Sequence, residues 1–594
     1  MPYRFADPER WVLADLLPSP ESAETVIAEL EQAVSRFEAA RERLSPDIGE
    51  DEFLDVLRQY EEIARSLQRL SGYAYLWFSE QTQHQPALAF LGRVEQLNAD
   101  IQNRTLFFSL WWKGLDDEPA QRLLRNTGDL RYYLESLRRF KPHTLSEPEE
   151  KVINLKDVNG VNALVTLYDM ITNAFVFELE VDGERKRLTR EQLAVYVRHP
   201  SPAVRAAAYQ ELYRVYGAQG NILGQMYAYR VRDWQNEHVR LRRFPSPIAV
   251  RNLSNDIPDA AVDTLLEVCC ANAGVFRRYF QLKARWLGME RLRRYDLYAP
   301  ISSAEKSYAY GDAVDLVLDT YHAFSPVVAE HARRVFADRH IDAQVRPGKR
   351  SGAFSYGVLP GMTPYVLLNY TGKARDVATL AHELGHAIHS SLAGGHSPLT
   401  FHPTLPLAET ASVFGEMLLT DRLLSEEKDV AVRRDLLTAA LDDAYATVLR
   451  QAYFALFERE AHARIIEGET IDRLSERYLA NLAEQFGDAV DVSDEFRWEW
   501  VSIPHIYHTP FYVYAYSFGQ LMVLALYQRY KEQGDAFTPG YLRLLSYGGS
   551  ASPQQVLGEA GVDITAASFW QGGFDIINGM IDELESLEGE PASL

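Results

Sequence analysis

From Glu21 to about Arg138 apolar residues recur three and four positions apart, in runs such as ETVIAELEQAVSRFEAARERL and EFLDVLRQYEEIARSLQRLSGYAYLWF. A stripe of that period can be buried only if the chain forms helices that pack on one another, so long antiparallel helices are expected here. Two prolines and a histidine break the pattern in KPHTLSEPE, Lys141 to Glu149, which reads as a subdomain junction. The alternating residues on either side of Asp182-Gly183 then fit a two-residue β-hairpin. Thr189 followed by Gln192 fits a capping box that opens the next helix. Helices resume at Ser201, with Pro202 in the first helical position, and continue to about Arg294. Between Val345 and Tyr370 the Gly, Pro, β-branched and aromatic content predicts strands and turns. A further helix is predicted from near Lys373 to Gly394-Gly395. The expected fold is mainly α, with a small β-sheet beside that last helix. The expected organisation is an N-terminal helical lobe ending in the hairpin, 1–190, followed by a second domain, 191–594.

Size and charge narrow the functional classes. The chain has 594 residues and 47% apolar residues, enough for several packed units, which excludes disorder as its main state. Its net charge of -22 disfavours nucleic acid and anionic lipid as partners. The two cysteines are neighbours, Cys269 and Cys270, so neither a disulfide framework nor a four-cysteine zinc module is available. A metal site must use His and carboxylates. The N-terminal MPYRFADPERW has no basic and apolar pattern of a secretory signal, so a cytoplasmic location is expected. A stretch without Asp, Glu, Lys or Arg runs from Trp500 to Gln528, but its prolines, histidines and tyrosines suit a buried segment lining a polar cavity better than a membrane span.

The helix predicted from Lys373 contains His382, Glu383, Leu384, Gly385 and His386, an H-E-x-x-H pattern. Two histidines four apart project from one helix face and can hold one Zn2+, with Glu383 beside the metal where it can activate a water. Catalytic zinc takes a third protein ligand. The metzincin spacing is absent, since it would require Gly and His where this chain has His389 and Leu392. The remaining candidates are His396, His402, Glu409 and Glu416. His396 follows two glycines and His402 precedes a proline, which makes both poorer scaffolds. Glu409 is the better one, because an acid in the first turn of the apolar helix expected after Pro406 needs a partner to offset its desolvation.

The run GAFSYGVLPGMTPYVLLNYTGKARDVATLAHELGHAIHS, with AETASVFGE and IPHIYHTPFYVYAYSFG, resembles the thimet oligopeptidase family of zinc metallopeptidases, most closely its oligoendopeptidase F branch. The likeness is at motif level in the C-terminal part; the N-terminal helices agree in length and character only. It implies that His382, His386 and Glu409 bind one zinc ion per chain and that Glu383 is the general base. It also implies a two-lobed helical shell around a deep channel that admits peptides and excludes folded proteins. Peptide hydrolysis further needs donors for a developing oxyanion, and the resemblance favours His505, Tyr512 and Tyr514, with Tyr514 ranked first. Neighbouring Tyr507 and His508 are expected to contact substrate.

His389 and Glu416 each lie seven residues after a ligand, so both are candidates for orienting the zinc ligands, and Asp376 is a third. The strand-like Gly352 to Tyr356 offers an edge with which an extended peptide could pair, with Gly352 and Ala353 permitting close approach and Phe354 and Tyr356 walling a side-chain pocket. The expected function is a zinc-dependent endopeptidase acting on short unstructured peptides. The alternative is a carboxypeptidase of related fold, with Arg346, Lys349 or Arg350 anchoring the substrate carboxylate. A non-catalytic helical scaffold ranks lower, since Glu383 and the donor cluster are both retained.

Overall fold

The computed structural model describes residues 8–301 and 306–587. Helices dominate among them, accompanied by three small sheets, so the mainly α expectation holds. Two compact units are present, and each is assembled from three stretches: 1–141, 305–425 and 529–563 form one, while 142–304, 426–528 and 564–594 form the other. The first stretch ends at the Lys141–Glu149 junction read from the sequence, while the boundary read at 190 is not a limit of these units. Periodicity reports local structure, whereas the units are defined by contacts between residues far apart in the chain.

In the first unit the helices Ala23–Ala39, Glu50–Glu80 and Gln85–Gly114 bury the apolar stripes read from the sequence. Their core is aromatic: Phe53 stacks on Trp112 at 5.3 Å and Phe37 on Tyr60 at 5.4 Å. The same core takes in Val358, Leu359, Tyr365 and Leu367 from the strand region. Gly72 makes this junction possible, because a Cβ there would come within 2.3 Å of Val358. The sheet has Tyr365–Leu367 in the middle, parallel to Ile341–Asp342 and antiparallel to Phe354–Tyr356, which is therefore an edge strand. Helix Ala374–Leu392, which carries the H-E-x-x-H residues, packs against both Phe354–Tyr356 and Tyr365–Leu367. The small sheet beside the motif helix is thus present.

The second unit opens with short helices and the hairpin Phe177–Val181 with Glu184–Leu188, paired in the expected register around Asp182-Gly183. Both turn residues have positive φ, 54° and 78°, as a two-residue hairpin matching strand twist requires. The Thr189–Gln192 capping box forms, with Thr189 N–H donating to Gln192 Oε1 at 2.9 Å. Ser201 occupies the N-cap of helix Pro202–Ala218, but its side chain makes no capping bond. Cys269 and Cys270 are free thiols. No helix among the described residues is long and apolar enough to cross a membrane. The charge-free stretch instead contributes the short helix Pro504–His508 and the largely buried first turns of Tyr514–Gln533.

Candidate active site

In the first unit the chain brings His382, His386 and Glu409 together as the one group of side chains among the described residues arranged to share a metal. His382 Nε2 lies 3.2 Å from His386 Nε2, and Glu409 Oε2 lies 3.5 Å and 3.3 Å from the two. Tetrahedral coordination at the roughly 2.0–2.2 Å typical of zinc bonds to His and Glu would separate ligand atoms by about 3.3–3.6 Å. The donor set and its spacing therefore fit zinc. Ser412 Oγ donates to Glu409 Oε2 at 2.6 Å and holds the carboxylate in place.

Glu409 is not in the first turn of a helix. It stands in the turn between Leu405–Ala408 and Ser412–Glu426, because the helix breaks at residues 409–411. Gly385 explains how that turn comes so close to the motif helix. A Cβ on residue 385 would sit 2.5 Å from both the Ala411 carbonyl oxygen and Ser412 Cα, so only glycine permits the approach. A mid-helix glycine costs about 1 kcal/mol relative to Ala, and here it lets the turn that carries Glu409 reach the motif helix.

Glu416 accepts a hydrogen bond from His382 Nδ1, which leaves Nε2 directed at the other two donor atoms. Burial opposes charge on His382, but that bond and the Glu416, Glu409 and Glu383 carboxylates outweigh it and lift the imidazole to about 9 in the metal-free protein. Burial likewise opposes charge on Glu409, yet the two histidines and Ser412 hold it down to about 2. Burial raises the Glu383 carboxyl above its ordinary value, with both histidines opposing. A carboxylate raised in this way is better matched to taking and returning a proton near neutrality. His389 is buried and pushed down to about 3 by desolvation and by His386; it hydrogen-bonds the Ala408 backbone, adjacent to Glu409. It thus supports the turn that carries Glu409. Asp376 has a different job: it accepts from Thr371 N–H at 2.7 Å, Thr371 Oγ1 at 2.6 Å and Lys373 N–H at 3.1 Å, capping the motif helix.

A cavity of about 450 Å³ is lined by His382, Glu383 and His386 together with Ala353, Phe354 and Tyr356. Edge strand and metal cluster therefore share one space. Gly352 lies just before the strand with φ 79° and its carbonyl accepts from Asn369, so it shapes the turn and is not among the lining residues. Phe354 and Tyr356 also pack on Tyr75, with ring centroids 5.3 Å and 5.8 Å away. His402, weighed from sequence only as a ligand, lines the same cavity. His396 is tied to Asp129 and to the Ser546 carbonyl, at 2.6 Å and 2.7 Å, and serves as a clamp. Arg346 and Lys349 are both bound to Asp342, at 2.6 Å and 2.8 Å, and Arg350 lies over the Tyr75 ring.

The donor candidates all belong to the second unit. Tyr512 stacks on His505 with 6.0 Å between centroids and 9° between planes, and Tyr516 meets both rings edge-on. Both Tyr512 and His505 are half-buried. Tyr514 differs: it has no exposed surface, and its hydroxyl accepts from Asn255 Nδ2 at 2.9 Å. Its first rank as donor is not supported by this placement. Tyr507 is also interior, stacked on Tyr168 at 3.9 Å and donating to the Leu223 carbonyl at 3.2 Å, so packing rather than substrate contact accounts for it. His508 is exposed and pairs with Asp169 at 2.8 Å. Sequence reasoning passed over Ser412 and Gly385. A hydroxyl three residues after the acid and a glycine inside a strong helical pattern were the available signals.

Residues 195–576 match peptidase family M3, and residues 111–177 match an oligopeptidase F segment. The chain belongs to peptidase family M3, and it is an oligopeptidase of the metallopeptidase class. It is 28% identical to the group B oligopeptidase PepB of Streptococcus agalactiae over 97% of each chain. It is 26% identical to the oligopeptidase PepF of Bacillus subtilis, covering 98% of this chain and 87% of that protein. Among solved structures, a putative peptidase from Chlamydophila abortus superposes with a TM-score of 0.88 at 26% identity, covering 97% of this chain and 98% of the other. The oligoendopeptidase-F of Enterococcus faecium gives 0.72 at 25% identity, covering 95% and 99%.

Proposed function

We propose that this protein is an endopeptidase that hydrolyses internal bonds of short, unstructured peptides, with one Zn2+ per chain held by His382, His386 and Glu409. The observation that carries this reading is the triangle of donor atoms 3.2 to 3.5 Å apart with Glu383 on the same cavity wall. Bound zinc would supply a Lewis acid for the scissile carbonyl and lower the pKa of an attacking water. Glu383 takes the proton of that water and returns it to the leaving amine. His505 and Tyr512 donate hydrogen bonds to the developing oxyanion. Glu416 and His389 fix the ligands and Asp376 secures the start of the helix that carries them. An extended peptide pairs with the free edge of Phe354–Tyr356 through backbone hydrogen bonds, which tolerates many sequences. Ala353, Phe354 and Tyr356 border its side chains, and His508 offers an exposed polar contact. The free thiols Cys269 and Cys270 suit a reducing cytoplasm.

The carboxypeptidase alternative needs a cation to anchor a terminal carboxylate, and Asp342 already engages Arg346 and Lys349. Product analysis on a peptide blocked at both ends decides between the two. Internal cuts that a chelator abolishes and Zn2+ restores are expected; no reaction on the blocked peptide, with release of C-terminal residues from the free one, would favour the carboxypeptidase.

A further inference from the structure

Between helices Pro504–His508 and Tyr514–Gln533 the backbone takes a conformation that needs outside support. Phe511 has φ 58°, in the left-handed region that a bulky L residue rarely adopts. Such strain persists only where the surroundings over-determine it, and it clusters at functional sites. Three side chains from three other helices pin this segment. Arg230, in Gly220–Trp234, donates to the Tyr507 carbonyl at 3.2 Å. Arg251, in Ala249–Asn255, donates to the Pro510 carbonyl at 3.3 Å. Glu458, in Arg450–Ile466, accepts from Phe511 N–H at 2.8 Å.

Of the three, Glu458 holds the strained residue itself. It is fully buried, next to His462, whose ring packs on Phe511 with 4.6 Å between centroids. A buried carboxylate is an expensive way to satisfy one N–H, and burial pushes this one up to about 8 against the Phe511 bond, Arg251 and Arg230. The consequence of the held turn lies one residue on. Tyr512 faces out, parallel to His505, while Tyr514 faces in to Asn255. A Phe511 relaxed to negative φ would rotate the peptide plane that precedes Tyr512 and lose its register with His505.

We infer that Glu458 is a positioning residue for catalysis: by fixing the left-handed Phe511 backbone it sets Tyr512 beside His505 as an oxyanion donor. This rests on the reading of Tyr512 as a donor given above. Glu458 touches neither substrate nor metal ligands in this role, so its effect must pass through Tyr512.

The test uses two variants of near-equal volume in the full-length zinc-loaded enzyme. E458Q keeps an oxygen that can accept the Phe511 N–H; E458M removes it without leaving a buried charge to unfold the protein. With zinc content and folded fraction matched, E458M is expected to lose about tenfold or more in kcat with KM within about twofold. E458Q should stay within about threefold of wild type, since it preserves the hydrogen bond. A residue that serves only packing would affect the two alike. In combination with Y512F, E458M should add nothing, because both act on the same donor. Equal kcat for E458M and wild type, equal losses for Q and M, or a double variant reduced by the product of the single effects would each overturn the inference. If Y512F loses activity while E458M does not, the inference fails alone. Full activity of Y512F overturns the donor assignment and this inference with it.

Discussion

His382 and His386 ride one turn apart on a single 19-residue helix, whereas His505 sits in a short helix and Tyr512 in the break that follows it. On the helix, the four-residue spacing alone puts both imidazoles on one face, so their partnership is a property of local geometry. At the break, tyrosines two residues apart go to different fates: Tyr512, in the connection, stays half-buried on His505, while Tyr514, which opens the next helix, is buried on Asn255. Nothing in the spacing of FYVYAY chooses between them. A regular element broadcasts the direction of its side chains through its period; a turn with a left-handed residue takes its direction from whatever it is bonded to.

That contrast can be attacked from both ends. The largest effect should come from the helix: H386A is expected to abolish zinc binding, measured by metal analysis of the purified protein, and activity with it. E383Q should keep its zinc and lose about 10²- to 10⁴-fold in kcat; normal turnover by this variant would remove Glu383 from the mechanism. In the loop, Y512F is expected to lower kcat by about 10²- to 10³-fold with little change in KM, as loss of an oxyanion donor does. E416Q should weaken zinc binding by about 10- to 100-fold. Glu416 helps hold His382 protonated to about 9 in the metal-free protein, so zinc must displace that proton and its affinity should rise with pH across the neutral range. Calorimetric titration at several pH values checks the slope, and E416Q should flatten it. The smallest effect on turnover is expected for Y514F: kcat near wild type, with about 1–3 kcal/mol lost in stability because Asn255 keeps a buried donor without its acceptor. A large fall in kcat for Y514F with none for Y512F would reverse the assignment of the two tyrosines.

Much of the metal half was legible in advance. The helix limits, both histidines, Glu383 and the adjoining strand followed from period and motif, and His382, Glu383, His386 and the strand line one cavity; Glu409, favoured for the cost of burying its charge, lies beside the two histidines. What was misread there is instructive. Glu409 was expected in the first turn of a helix, but the helix breaks around it, and Gly385 on the facing helix is what admits that break. Asp376, a further candidate beside the ligands by sequence, uses its carboxylate to satisfy the backbone at the helix start. In the donor half the aromatic cluster was visible and its ranking was not. Tyr507 and Tyr514 are chemically equal to Tyr512 in a sequence, and only burial against Tyr168 and Asn255 separates them.

The sequence by itself determined the helical class, the pair of histidines with their glutamate, and the dependence on His and carboxylates in place of cysteine. These follow from short-range regularities, a period, a spacing and a composition, that survive without knowledge of distant contacts. Tertiary structure decided which residues meet across the chain: the approach of Glu409 through Gly385, the orientation of His382 by Glu416, and the support of Phe511 by Glu458. Each of these joins residues far apart in the chain, 26 positions for Gly385 and Ala411, 34 for His382 and Glu416 and 53 for Glu458 and Phe511, and no local pattern encodes a contact at that range.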